Sequence, residues 1–192
     1  VDGTLDLDLG GRRLSLRAPR AADADAAHAR WAADPLVHRW LGHRPHADLD
    51  HTRRLLAWDE ACWQKRSAWT WLLLPHGEGQ PVGQLRLSPQ AGPAPPHHHL
   101  RLGMVLARSH QGRGLMREAV AGLLTHALAQ PGVWRVDAVC DVDNHASQQL
   151  FRALGLACEG RLASHSLHPN VSDQPRDVWL FAALRGVPPP GD

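Results

Sequence analysis

Apolar and polar residues alternate from Leu5 to Leu16. Leu5, Leu7 and Leu9 precede Gly10-Gly11, and Leu14 and Leu16 follow. A period of two marks strands and paired glycines mark a turn, so this segment predicts two short strands, stopped by Pro19. The pattern then changes. Ala21 to Ala33 is Ala-rich, with Asp23 and Asp25 near its start, where acids favour the positive end of a helix. Asp34-Pro35 ends it, and Pro35–Leu41 reads as a short second helix. A longer helix opens at Asp48 or Asp50 and runs to about Arg66, with Leu55, Trp58 and Cys62, joined by Leu56 and Trp63, at helical spacing.

Strand patterns follow. Ala68–Leu74 and Val82–Leu87 read as a hairpin around Gly77–Pro81, and Leu100–Leu106 as a third strand beyond the Pro/Gly/His loop Pro89–His99. Gly114–Gln130 predicts a helix ended by Pro131-Gly132. Val133–Cys140 predicts a strand, and Asn144–Leu154 a helix closed by Gly155. Leu156–Leu162 and Asp177–Leu184 read as the final strands. No internal repeat is present. The order ββ-αα-βββ-α-β-α-ββ predicts one mixed α/β domain over residues 1–186, with a Pro-rich tail at 187–192.

Composition narrows the function classes. Of 192 residues, 43% are hydrophobic and 21% charged, near the globular norm, which excludes a disordered tail, a collagen-like fibre and a coiled coil. The net charge of +2 is too mild to argue for nucleic acid, and no apolar run is long enough to predict a membrane span. The N-terminal residues have neither a basic nor an apolar leader pattern, so no signal peptide is expected. Cys62, Cys140 and Cys158 form no CxxC pair, which argues against a disulfide framework or a zinc knuckle and for a reducing, cytoplasmic setting. The sole lysine is Lys65, tyrosine is absent, and there are eight tryptophans.

The sharpest chemical signal follows the third central strand. Leu102–Leu106 leads through Ala107–His110 into Gln111-Gly112-Arg113-Gly114-Leu115-Met116, which opens a helix. A helix start carries partnerless N–H groups and a positive partial charge, and glycines let the backbone curl round an anion, so a phosphate or pyrophosphate is the expected ligand. Arg117 stands where a dinucleotide fingerprint has glycine, and no Gly-Lys-Ser/Thr follows, which excludes the P-loop. Gln-x-x-Gly-x-Met resembles the coenzyme A-binding motif of the GNAT acetyltransferase superfamily, usually [Gln/Arg]-x-x-Gly-x-[Gly/Ala], with Met116 as a departure. A second block, Asn144-His145-Ala146-Ser147 followed by Phe151, Gly155 and Glu159-Gly160, resembles the corresponding block of the RimJ/RimL-type ribosomal-protein N-acetyltransferases.

That resemblance implies a twisted mixed sheet whose central parallel strands splay apart, flanked by helices, with acetyl-CoA in the V. It implies that the backbone of Met104, Val105 and Leu106 pairs with the pantetheine arm. It gives the pyrophosphate to the N–H groups of Gln111, Gly112, Arg113, Gly114, Leu115 and Met116, and sets Asn144 and Ser147 near the sulfur. Asn144 is also expected to cap its helix. The implied activity is N-acetyl transfer from acetyl-CoA to a primary amine, most simply the α-amine of a protein or peptide N-terminus. A small-molecule amine (antibiotic, polyamine or amino acid) or a non-catalytic acyl-CoA-binding role are the alternatives. The family is often dimeric, so a homodimer is an expectation. No metal is expected, and His97–His99 reads as a solvated run.

For catalysis, Ser147 is the candidate proton donor to the departing thiolate and the Val105 N–H the candidate polariser of the thioester carbonyl. Arg101 stands where the family often has a glutamate base, and a tyrosine acid is impossible. Glu159, His165, His168, Asp177 or a water chain remain as proton acceptors, and none stands out. A weak base suits an α-amine. With reference pKa values of about 8 and 10.4, roughly a quarter of α-amines but only about a thousandth of lysines are neutral near pH 7.5. Trp31, Trp40 and Trp58 are the candidates for an acceptor pocket. The cysteines read as core residues, and a covalent acyl-cysteine route is disfavoured.

Overall fold

The alternating N-terminal segment pairs as a hairpin would. In the computed structural model, which describes residues 6–8, 13–90 and 97–187, β1 (Asp6–Asp8) runs antiparallel to β2 (Leu14–Arg17). The expected Gly10-Gly11 turn, loop residues 91–96 and the tail from 188 lie outside the described residues. Leu14 and Leu16 point into the core and are almost wholly buried. β3 (Trp69–Pro75) is covered on both faces, which explains why it is apolar but for Thr70, whereas β4 (Gly83–Pro89) alternates. With β5 (His99–Leu106), β6 (Arg135–Asp141), β7 (Ala157–Ser166) and β8 (Arg176–Leu184) they form one eight-stranded sheet in the order β1-β2-β3-β4-β5-β6-β8-β7. Trp69 and Trp71 fill its centre, and the Trp63 indole donates to the Thr70 carbonyl at 2.8 Å.

Every neighbouring pair is antiparallel except β5 and β6. Their parallel register covers only His99↔Arg135 to Arg101↔Asp137. Beyond it β5 continues to Leu106 and β6 to Asp141 without pairing, so the two strands diverge and open a V in the sheet. Asp137 marks the closing point. Its buried carboxylate accepts from Arg101 Nε and Nη2 at 2.8 and 2.9 Å, and His99 Nε2 lies 2.7 Å away. Burial alone would raise this carboxyl, but Arg101 and His99 hold it below the ordinary aspartate value.

Among the described residues, four longer helical segments cover the sheet, and a 3-10 turn (Arg108–His110) follows β5. The Ala-rich α1 is continuous but irregular: a 3-10 turn (Ala21–Asp23), an α turn (Ala24–Ala27) and a π turn (His28–Ala32). α2 (Leu49–Gln64) is capped by Asp48, whose carboxylate accepts from His51 N at 2.6 Å. α3 (Leu115–Ala129) and α4 (His145–Ala153) flank the V. Among the described residues no helix is long and apolar enough to cross a membrane.

Three expectations need correcting. Pro35–Leu41 forms turns, not a helix: Asp34 Oδ1 accepts from Leu36 N at 2.9 Å, and that side-chain turn competes with helix continuation. On α2, Leu56, Cys62 and Trp63 are buried as expected, together with Thr52 and Asp59, but Leu55 is only half-buried and Trp58 is exposed. Asp59 can face inward because Arg86 and Thr70 receive it there: Arg86 Nη1 donates to both Asp59 Oδ1 and Thr70 Oγ1. The run His97–His99 is not a solvated stretch, since His97 is buried edge-on against Trp69 and His99 belongs to β5.

Candidate active site

The V is a cleft of about 490 Å³, walled on one side by Leu102–Leu106 of β5 and on the other by Val139 and Cys140 of β6. The phase of the β4–β5 ladder decides which β5 amides face it. Ala107 N donates to Val82 O at 2.8 Å and Gln90 N to His99 O at 3.0 Å, with an unbroken register between them. Bonded pairs recur every second residue in an antiparallel ladder, so Val105 exchanges its bonds with Gln84. The Val105 N–H therefore turns away from the gap, and the expectation that it polarises a carbonyl there is corrected. Met104 and Leu106 present their N–H and C=O groups to the V. Gln111 Nε2 donates to Leu106 O at 2.9 Å, in keeping with that phase.

After β5 the chain turns into α3 through two left-handed glycines, Gly112 at φ 73° and Gly114 at φ 77°. A side chain at either position would be strained, and a Cβ at Gly114 would come within 3.2 Å of Arg13 Nη2. Alternating left-handed residues leading into a helix start gather N–H groups into an anion-binding concavity. The α3 ladder begins only with Glu118 N to Gly114 O, so the amides of Leu115, Met116 and Arg117 have no helical acceptor. Arg13 fixes this loop by donating from Nη1 to Arg113 O at 2.8 Å and from Nε to Glu118 Oε2 at 3.0 Å. Gln111, Gly112, Gly114, Leu115 and Met116 line the cleft, but the Arg113 side chain does not. A cradle open at two glycines, beside unpaired strand amides, fits a pyrophosphate and its pantetheine arm.

The opposite wall begins with α4. Asn144 caps it, accepting from Ser147 N at 3.2 Å, and both residues line the cleft. Cys140 lies in the same wall, where burial pushes its thiol up to about 12, so it is protonated and poorly nucleophilic at neutral pH.

Of the three tryptophans, the structure brings only Trp40 to the cleft. Trp31 is 3% exposed, packed among Ala24, Ala27, Leu56 and Leu72 on the inner side of α1. Trp58 is 54% exposed and stacks under the Arg86 guanidinium at 4.5 Å, outside the cleft lining. Both are withdrawn as pocket residues: Trp31 is taken up by the core beneath α1, and Trp58 lies on the exposed face of α2, whose buried face is Thr52, Leu56, Asp59, Cys62 and Trp63. The sequence reading missed Leu36, Val37 and Leu41, which join Trp40 in the wall, together with His110 and Arg117. Arg117 is the one it could have found, since it lies in the first turn after Gly114. His110 is anchored, its Nε2 standing 3.0 Å from Glu78, whose carboxyl it holds below the usual range.

Among the described residues, no aspartate or glutamate lines the cleft. None of the candidate proton acceptors lines the cleft. Arg135 donates to Glu159 at 2.7 Å and holds its carboxyl low. The Ser164 N–H and Arg161 do the same for Asp177. His168 is buried 3.7 Å from Asp141, and exposed His165 contacts Ser166. Arg101, clamped on Asp137, cannot serve as a base.

Comparisons with known proteins agree with this geometry. The family described as an acetyltransferase (GNAT) domain matches residues 13–157. A Bacillus licheniformis protein named uncharacterized N-acetyltransferase p20 is 23% identical over 176 residues, spanning 90% of this chain and 93% of its own. Among solved structures, RimL, a ribosomal L7/L12 alpha-N-protein acetyltransferase in complex with coenzyme A, superposes with TM-score 0.81 at 21% identity. It covers 93% of this chain and 97% of its own. The microcin C7 self-immunity acetyltransferase MccE, in complex with acetyl-CoA and AMP, superposes with TM-score 0.80 at 15% identity, over 94% and 97% of the two chains.

Proposed function

The chain belongs to the acetyltransferase (GNAT) family, whose members are acetyl-CoA-dependent acyltransferases, and from that premise we propose that its acceptor is the α-amine of a protein or peptide N-terminus. The observation that carries the proposal is the lack of a carboxylate among the described cleft residues. A polycation such as a polyamine or aminoglycoside is best held by acidic groups, and a lysine amine needs a strong base to lose its proton. An α-amine needs neither, because much of it is already neutral near pH 7.5. The likeness to an alpha-N-protein acetyltransferase supports the same reading.

In this scheme the gap-facing amides of Met104 and Leu106 hold the pantetheine arm and polarise the thioester carbonyl. The N–H groups from Gly112 to Met116 hold the pyrophosphate, with Arg117 adding positive charge. The neutral amine attacks the carbonyl carbon, the C–S bond breaks, and the Ser147 hydroxyl supplies a proton to the departing sulfur. The ammonium proton leaves to water, and water returns a proton to the Ser147 oxygen, so the hydroxyl is restored. The test is thiol release from acetyl-CoA against a panel of N-terminal peptides, Nα-blocked lysine peptides, amino acids, polyamines and aminoglycosides. Turnover with free N-terminal peptides and loss of it on Nα-blocking is the expected result. Preference for polyamines or aminoglycosides overturns the acceptor, and bound acetyl-CoA with no turnover on any amine overturns catalysis.

A further inference from the structure

Three histidines outside the cleft lining converge on the loop between α1 and α2. His38, His43 and His46 each place a ring nitrogen within 4.8 Å of the others'. Their ring centroids stand 5.1, 5.9 and 6.2 Å apart. Imidazoles sharing one tetrahedral zinc, with Zn–N of about 2.0–2.1 Å, have centroids roughly 5 Å apart. The rings therefore need only a small closing movement to meet on one ion.

Hydrogen bonds on the far side of each ring select the nitrogen that is left. His38 Nδ1 lies 3.0 Å from the Asp34 carbonyl oxygen, and His43 Nδ1 3.1 Å from that of Arg44. A carbonyl only accepts, so both rings carry their proton on Nδ1 and a lone pair on Nε2. His46 Nδ1 and His28 Nδ1 each lie 2.9 Å from Thr52 Oγ1, whose hydroxyl can send its own proton 3.5 Å to Asp48 O and accept from both rings through its two lone pairs. Oxygen acceptors behind each imidazole are the outer shell that orients metal-bound histidines.

The backbone is held in the same shape. Asn170 Nδ2 donates to His38 O at 2.7 Å and to His43 O at 2.8 Å, and His46 N donates to Ala32 O at 2.8 Å. Burial, with the neighbouring imidazoles, holds His38 below the ordinary histidine value and His46 down to about 4. Both rings are therefore neutral near pH 7, the form that ligates.

We propose that His38, His43 and His46 form a three-histidine site for zinc or a similar late first-row divalent ion, with a fourth position open to water. All-imidazole donors suit zinc, copper and nickel. Leu36, Val37, Trp40 and Leu41 of the same loop line the cleft, whereas the three histidines do not. The ion is thus a clip that fixes the cleft wall, outside the acyl-transfer chemistry. It stands on the loop's own geometry and does not depend on which amine is acetylated.

The test titrates chelator-stripped protein with Zn2+ against a chromophoric competitor, and with Co2+ by visible absorption. One tight equivalent is expected, with Kd at or below about 1 µM, and Co2+ should give the intense bands of a four-coordinate site. His43 is exposed, so His43→Ala should fold normally by circular dichroism while weakening the tight equivalent by at least about tenfold, with His46→Gln doing the same. His98→Asn, in the other histidine run, should change neither readout. No tight equivalent in the parent, or a tight equivalent and four-coordinate Co2+ bands retained in folded His43→Ala, overturns the site.

Discussion

Ser147 and Gly114 carry the sharpest tests at the scale of single residues. Ser147 sits three positions past the α4 cap, so its hydroxyl and the Asn144 side chain address the same end of the cleft. General acid catalysis is typically worth about 10²–10⁴ in rate. Ser147→Ala should lower turnover by at least about tenfold while CoA affinity, read by calorimetry, changes little. Unchanged turnover would remove Ser147 from the scheme. Gly114 combines a left-handed backbone with the first turn of α3. Gly114→Asn tests shape, since asparagine tolerates that backbone, and Gly114→Asp adds a negative charge at the same helix start, beside Arg13. The aspartate variant should bind CoA roughly three- to thirtyfold more weakly than the asparagine variant, the range expected for a charge at a helix start. Equal affinities would argue against a phosphate there.

At the scale of elements, the cleft depends on how closely β4 supports β5. A Cβ built on Gly83 would lie 2.4 Å from Val105 O and 3.0 Å from Leu106 Cα, both backbone atoms. Neither can rotate away, so Gly83→Ala must shift one strand against the other. Overpacking of this kind costs about 1–3 kcal/mol, which urea denaturation would measure. The folded variant should also lose acetyl transfer by more than its CoA affinity, because the gap-facing amides of Met104 and Leu106 are displaced. A Gly83→Ala protein with parental stability and turnover would show that the two strands are not so tightly coupled. The divergence of β5 and β6 makes those amides available, and alternation in the sequence could not reveal their phase. That phase is set by the bonds at the two ends of the ladder with β4, Gln90 N to His99 O and Ala107 N to Val82 O.

For the whole molecule, the sheet's closing point and the end of β6 set the acid response. Asp137 and Asp141 are buried, which would raise their carboxyls, but Arg101 and His99 hold the first below its ordinary value of 3.8 and Arg176 does so for the second. A carboxyl lower in the folded than in the unfolded chain contributes stability that is complete above the unfolded value and lost as pH falls through the folded one. The urea midpoint should therefore hold down to about pH 4 and drop below it. Asp137→Asn should lower the midpoint at neutral pH and flatten the acid fall, and an equally steep fall in that variant would exclude Asp137 as its source. Much of the fold was legible in the chain. Leu14 and Leu16, the run Trp69–Leu74, the two glycines before α3 and the Asn144 cap are local signals, because period, turn chemistry and capping act between residues close in sequence. So the sequence alone determined the order of the elements and the glycine turn into α3. What it could not determine depends on residues far apart along the chain. Asp59 faces inward because Arg86 waits there, Trp31 and Trp58 are turned from the cleft by what packs beneath their helices, and Val105 loses its amide to Gln84. The loop that brings the three histidines together is held from a distance: Asn170, more than a hundred residues later, bonds the carbonyls of both His38 and His43. Tertiary structure decided these matters, since side-chain direction and hydrogen-bond phase are set by the partner across the gap.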